Sequence, residues 1–246
     1  MLSTITALRD TVLKVSTAPS TDLDPSQKIE IYGGQVLTIL RKGPLESGHM
    51  QVSLSDNGGD WYIYVPHWRE TSPTELDVWY FSQRDNFRDA NRTCFSSSCA
   101  MLVEYLKPGT LPGTYGDDFY IKRVFQYGDT TEAGVQLKAL QSYGIEARFV
   151  QNGSISLLKN QIDARKPVPV GILHHGPAHA PSGGGHWICV VGYDNTGFIV
   201  HDPWGEIDHA SGTYISEDGA GLHYSYDLFK ARWTVASDSD GWAIIV

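Results

Sequence analysis

Cysteine is scarce in this chain of 246 residues, with only Cys94, Cys99 and Cys189 present. Three thiols cannot all pair with one another. Cys94 and Cys99 stand too far apart for a CxxC motif, and no second pair supplies a zinc-ribbon spacing. A disulfide scaffold is therefore excluded, and free thiols in a reducing compartment are expected. Long apolar runs are missing as well, so no membrane-spanning helix is read. The opening MLSTITALRD has neither a basic start nor a continuous apolar stretch, so it carries no secretory signal and a cytoplasmic location is expected. Positive charge is in short supply: Lys and Arg total 19 against 28 Asp and Glu, a net charge of -9. Nucleic-acid binding needs clustered Lys and Arg, so it is excluded too.

What is present suits a globular protein. Hydrophobic residues make up 41 % of the chain, enough for one large domain or two small ones. The first part reads as short strands: Lys28 to Tyr32, Gln35 to Leu40, His49 to Leu54 and Asp60 to Val65. The turns between them are expected at Gly33-Gly34, Lys42-Gly43-Pro44 and Asp56-Asn57-Gly58-Gly59. Strands of this length and spacing predict a small all-β barrel over residues 1–75, with ETSPTE (70–75) as the linker.

The pattern then changes. Residues 94–106, CFSSSCAMLVEYL, predict a helix with Phe95, Cys99, Leu102 and Leu106 on one apolar stripe. A second helix is expected from about Thr131 to Tyr143, closed by Gly144. A third follows Ser154, with Ile155, Leu158 and Ile162 on one face. Strands come next: Val168 to Leu173, Trp187 to Tyr193, Gly197 to His201 and Trp242 to Val246. Helices first and strands later, without βαβ alternation, predict an α+β domain over residues 76–246.

A cysteine hydrolase needs a thiolate, a base, a group that orients the base and donors for an oxyanion. Cys94 stands where a loop meets the predicted helix, and unpaired N–H groups at a helix start favour a thiolate. Cys99 lies on the apolar stripe and Cys189 inside the strand WICVVGY, so both are expected in the core. His186 follows Ser182-Gly183-Gly184-Gly185 and opens a strand: the glycines leave room for substrate and the strand fixes the ring. Asp202 ends the next strand, and the short turn Asp194-Asn195-Thr196-Gly197 suits a hairpin. Antiparallel neighbours would place His186 and Asp202 at one sheet end, with His201 on the opposite face. Gln83 lies upstream, where its amide can join the Cys94 N–H in an oxyanion hole. Each feature also has a bland reading, as a core thiol, a solvated histidine, an Asp-Pro turn or a surface glutamine.

Taken together, residues 78–246 resemble the C39-like branch of the papain-like cysteine peptidases. The resemblance rests on Gln83, then CFSSSCAM from Cys94, the Lys-Pro-Val-Pro-Val segment, Gly-His-Trp running into Val-Val-Gly-Tyr-Asp, and His-Asp-Pro-Trp-Gly. It implies a papain-like fold, a triad of Cys94, His186 and Asp202, and Gln83 at the oxyanion hole. Gly185, Trp187 and Trp204, which flank these motifs, are the expected substrate-binding residues. The family commonly has Gly after the cysteine. Phe95 stands there in this chain, where a bulky side chain would either narrow the site or go with a different start of the helix.

The first part resembles bacterial SH3-like domains, through Leu13-Lys14-Val15-Ser16, Pro19-Ser20, Gly33 before Gln35-Val36-Leu37-Thr38, and Gly59-Asp60-Trp61-Tyr62. Such modules often bind cell walls. Trp61, Tyr62, Tyr64 and Trp68 can offer a stacking surface, although aromatics at alternating positions are more often core. The combination resembles phage lysins, and implies a monomeric peptidoglycan endopeptidase, without cofactor, that reaches the wall by a lysis pathway. A protein- or leader-peptide-processing protease and an inactive wall-binding module are the alternatives. A metal hydrolase built on His174, His175, His179, His186, His201 and His209 lacks any HExxH-type spacing. Asp117-Asp118 and Asp238-Ser239-Asp240-Gly241 are oxygen-rich, but neither completes a calcium loop, and solvated turns are expected.

Overall fold

The computed structural model describes residues 3–55, 58–71, 74–208 and 210–246. Asp56 and Asn57 of one expected turn, Ser72 and Pro73 of the expected linker, and His209 of the histidine-rich stretch lie outside the described residues. Two compact units emerge: Met1–Pro73 with Asp194–Thr196, and Thr74–Tyr193 with Gly197–Val246.

The first unit is built from β1 (Ser3–Ala7), β2 (Thr11–Lys14), β3 (Lys28–Ile31), β4 (Val36–Glu46), β5 (His49–Leu54), β6 (Asp60–Tyr64) and β7 (Trp68–Thr71). They pair antiparallel in the order β3-β2-β6-β5-β4-β1-β7. Alternating residues such as Ile5, Leu13, Ile39, Val52 and Ile63 point into a separate core. The expected turn at Lys42-Gly43-Pro44 is absent: β4 runs through it with register shifts at Ile39/Arg41 and Lys42/Leu45. A bulge tolerates proline's missing N–H. The chain turns instead at Ser47 and Gly48, both left-handed (φ 50° and 74°), as a tight hairpin requires. Of the aromatics, Trp68 is buried in this core and Trp61 packs partly against it. Tyr64 is exposed, with His49 and His67 at ring distances of 5.1 and 5.0 Å.

The second unit begins with β8 (Thr74–Glu75), then α1 (Cys94–Leu106), α2 (Gly116–Val124), α3 (Ala133–Ser142), β9 (Arg148–Gly153) and α4 (Ile155–Asp163). There follow β10 (Val168–Ile172), β11 (His186–Tyr193), β12 (Gly197–His201), β13 (Glu206–Asp208), β14 (Thr213–Ser216), β15 (Leu222–Ser225), α5 (Tyr226–Trp233) and β16 (Gly241–Ile245). The sheet order is β15-β12-β11-β10-β16-β9, with β8 also on β11, while β13 and β14 form a separate pair. Strand β11 is buried from His186 to Gly192, which explains its unbroken apolar run, and α1 and α4 both pack on it. Helices and antiparallel strands thus form the expected mixed α and β architecture.

Helix α1 departs from the expected stripe. Every residue from Cys94 to Val103 is buried, the three serines included, while Leu106 is only half-buried. Each serine has a partner: Ser96 Oγ meets Thr130 Oγ1 at 2.5 Å, Ser97 Oγ donates to Asp117 Oδ2 at 2.6 Å, and Ser98 Oγ donates to the Trp187 carbonyl at 3.1 Å. Unpaired, such hydroxyls would each cost roughly 1–3 kcal/mol. Asp117 and Asp118 do not lie in a solvated turn: they form the acidic first turn of α2, and Asp117 is fully buried. Helix α4 is capped by Ser154 Oγ, which accepts the Leu157 N–H at 3.2 Å. Among the described residues no helix is long and apolar enough to cross a membrane.

Candidate active site

The β11–β12 hairpin pairs Cys189 with His201 and Val190 with Val200, so the start of β11 and the end of β12 share one sheet end. His186 is the first residue of β11, and Asp202 follows β12 directly. His186 Nε2 lies 2.7 Å from Asp202 Oδ1, with both residues buried. Oδ1 also accepts the Trp204 N–H at 2.9 Å. The Asp202 backbone is equally held: its N–H donates to the Gly219 carbonyl at 2.8 Å, and its own carbonyl accepts from the Tyr80 hydroxyl at 3.1 Å. Gly219 is required here, because a Cβ would fall 1.9 Å from that carbonyl oxygen.

Burial on its own would push the His186 pKa down. The charge and hydrogen bond of Asp202 oppose it, Cys94 adds to them, and the result is a rise to about 10. The ring is held as an imidazolium at neutral pH. With Nε2 given to Asp202, Nδ1 is the nitrogen left for the thiol.

Cys94 opens α1, so its N–H has no partner within the helix. Its Sγ shares the cleft with the His186 ring, contributes to that ring's raised pKa, and donates to the Gly185 carbonyl oxygen at 3.4 Å. Cys99 and Cys189 are fully buried, and burial pushes both thiols well up, leaving them inert. His201 is locked elsewhere: Nδ1 accepts the Gly221 N–H and Nε2 donates to the Val78 carbonyl, each at 2.9 Å.

A cleft of about 610 Å³ brings together Gln83, Cys94, Gly185, His186, Trp187 and Trp204. Asp202 does not line it and stands behind the imidazole. Gln83 is buried, with its Nε2 donating to the Ala90 carbonyl at 2.7 Å. Trp204 lies under the Arg84 guanidinium, 4.2 Å from ring centroid to Cζ, and its carbonyl accepts from Arg84 Nε at 2.5 Å. Phe95 is stacked face to face on Trp187, with centroids 3.5 Å apart and planes 4° from parallel. It forms part of the cleft wall between α1 and β11, beside a Cys94 that is 7 % exposed.

Phe149, Tyr214 and Trp242, which no motif marks, also line the cleft, as does His174 of the histidine-rich stretch. His174 packs 5.2 Å from the His186 ring and donates from Nδ1 to the Gly183 carbonyl at 3.0 Å. Burial and the neighbouring His186 and His175 push its pKa down to about 4, so it stays neutral beside the charged His186. Tyr214 meets the His186 ring edge-on at 6.0 Å from β14, a strand with no local motif to announce it. Among the described residues no group of three or more His, Cys, Asp and Glu is arranged to hold a metal.

A thiol at a helix start, with an imidazolium beside it and a carboxylate behind, is an arrangement that suits hydrolysis through a cysteine. The chain belongs to the Peptidase_C39 like family, whose model matches residues 75–233, and it is a cysteine peptidase. Among solved structures it is similar to a chain from Bacillus anthracis described as a C39-like peptidase. That match has 15 % identity and a TM-score of 0.49, covering 72 % of this chain and 98 % of the other. It is also similar to the peptidase domain of Streptococcus ComA, a bifunctional ABC transporter involved in quorum sensing. There the identity is 16 % and the TM-score 0.41, with 63 % of this chain and 90 % of the other covered. No curated protein matches the chain.

Proposed function

We propose that this peptidase hydrolyses peptide bonds of peptidoglycan, using Cys94 as nucleophile, His186 as acid and base, Asp202 to hold the imidazolium, and Gln83 with the Cys94 N–H as oxyanion donors. The observation that carries the chemistry is the His186–Asp202 contact of 2.7 Å, with Cys94 on the same ring in one cleft. Cys94 sulfur attacks the carbonyl carbon, and the oxyanion forms against the donors. His186 then gives its Nδ1 proton to the leaving amine, and the acyl group stays on sulfur. Water enters, gives a proton back to His186, and releases the acid and the thiolate.

The wall as substrate is supported by the first unit, an all-antiparallel sheet that we take to be SH3-like, with Tyr64 and its neighbouring histidines as a stacking surface. Delivery by a phage lysis pathway and a monomeric state belong to the same reading. Purified bacterial cell walls are the test. Wild type should release new amino groups and Cys94→Ala should not. Cleavage of a peptide panel but not of walls would move the substrate to proteins or leader peptides. A Cys94 that resists mild alkylation would mark the chain as a binding module.

A further inference from the structure

Between Gln83 and Cys94 the chain makes a tight excursion. It passes Asp89 in the left-handed region (φ 52°) and a short 3-10 turn, Ala90–Arg92, before Thr93 at the position preceding α1. Such a segment needs holding, and a buried chain of hydrogen bonds holds it. Ser97 Oγ, one turn into α1, donates to Asp117 Oδ2 at 2.6 Å. Its only proton is then spent, so towards Asn86 it can only accept, and it does so from Nδ2 at 3.0 Å. The same Nδ2 donates to Thr93 Oγ1 at 2.8 Å, and the Thr93 hydroxyl passes its proton to the Ala90 carbonyl at 3.2 Å. That carbonyl is the acceptor on which Gln83 Nε2 rests, at 2.7 Å. Asn86 is almost fully buried, and Thr93, Ser97 and Asp117 have no measurable exposure.

We propose that Asp117 is a positioning residue for the oxyanion hole: as the terminal acceptor of this chain it holds the Ser97 hydroxyl, Ser97 and Thr93 hold the Asn86 amide, and Thr93 holds the Ala90 carbonyl on which the Gln83 amide is seated. The proposal rests on the assignment of Cys94 and Gln83 given above. What Asp117 supplies is an acceptor in a fixed place, which a neutral carboxyl or an amide oxygen also supplies. Burial, together with the nearby Asp85 and Asp118 carboxylates, pushes its pKa up to about 7, in keeping with a role that does not require the charge.

The test uses the full chain and p-nitrophenyl acetate, whose carbonyl becomes an oxyanion whatever the natural substrate. Ser97→Ala and Asp117→Ala should each lower kcat about tenfold with KM little changed, and Asp117→Asn should restore most of the rate. Inactivation by iodoacetamide passes through no oxyanion, so its rate should stay within about twofold of wild type in all three. In a Gln83→Ala background Ser97→Ala should cost almost nothing further, because both act on one donor. Full activity in Ser97→Ala, losses that multiply with those of Gln83→Ala, or iodoacetamide rates falling in step would overturn the proposal. Undiminished ester hydrolysis in Cys94→Ala would instead overturn the assignment of the nucleophile.

Discussion

Replacing Asp202 by asparagine removes a charge while leaving the hydrogen-bond geometry in place. Oδ1 accepts from both His186 Nε2 and the Trp204 N–H, whereas Oδ2 is buried without a partner. An amide therefore keeps its oxygen at the Oδ1 position, and the imidazole keeps its tautomer. What disappears is the attraction that raises His186 from 6.5 to about 10. At 1.36 kcal/mol per pH unit, that rise is worth at most about 5 kcal/mol between the two protonation states. Without it, burial returns the ring to its ordinary range or below. In wild type the alkaline limb of p-nitrophenyl acetate hydrolysis should fall near pH 10. In Asp202→Asn it should fall at or below pH 6.5. At pH 8 roughly 3 % of the rings would then carry the proton, a loss of about 30-fold, while the loss below pH 6 stays several-fold smaller. Stability should follow the same sign. The pair's contribution is complete below pH 6.5 and lost as the pH rises through about 10, so wild-type denaturant midpoints should decline over that window and those of the variant should not. An alkaline limb for Asp202→Asn within half a pH unit of wild type would refute this account of the imidazolium.

Phe95→Ala should cost about 3–5 kcal/mol in urea unfolding, because it deletes one member of a fully buried stack on Trp187; a loss below 1 kcal/mol would contradict the packing. Gly183→Ala should lower both melting temperature and turnover. Gly183 sits at φ 71°, and a Cβ there would fall 2.3 Å from His175 Cδ2, on the loop that leads into His186. Asp117, raised from 3.8 to about 7 chiefly by burial, favours its neutral form in the fold. Wild-type stability should therefore fall as the pH rises from about 4 to 7, and calorimetry of Asp117→Asn should show a flatter slope over that window.

The site was more legible in the sequence than its surroundings. His186 and Asp202 bracket a hairpin whose short turn and apolar strands dictate the register, so their meeting could be read from local pattern. Cys94 was marked by its place before an apolar segment. Helix α1 was read as amphipathic because serine scores as polar. Nothing local says that Thr130, Asp117 and the Trp187 carbonyl will come to meet the three hydroxyls. Asp117 was lost for a related reason: in GDDFYIKRV the acidic pair looks like a turn until its partner, 20 residues upstream, is known. Pro44 misled in the other direction, because a bulge let a strand pass where proline usually stops one. Tyr214 and His174 reach the cleft through tertiary packing alone.

The three consecutive serines of α1 have a consequence for the nucleophile. Successive helix residues are turned by about 100°, so the hydroxyls of Ser96, Ser97 and Ser98 look out in three different directions. Each is bound to a different part of the structure. Apolar packing tolerates a helix that rolls a little about its axis; directional bonds on three bearings do not. The serines thus act as a rotary index, fixing the azimuth at which Cys94 presents its sulfur to His186. Three bearings are more than an axis needs: with one hydroxyl removed the other two bonds still hold the azimuth, and the thiol is displaced only when two are lost together.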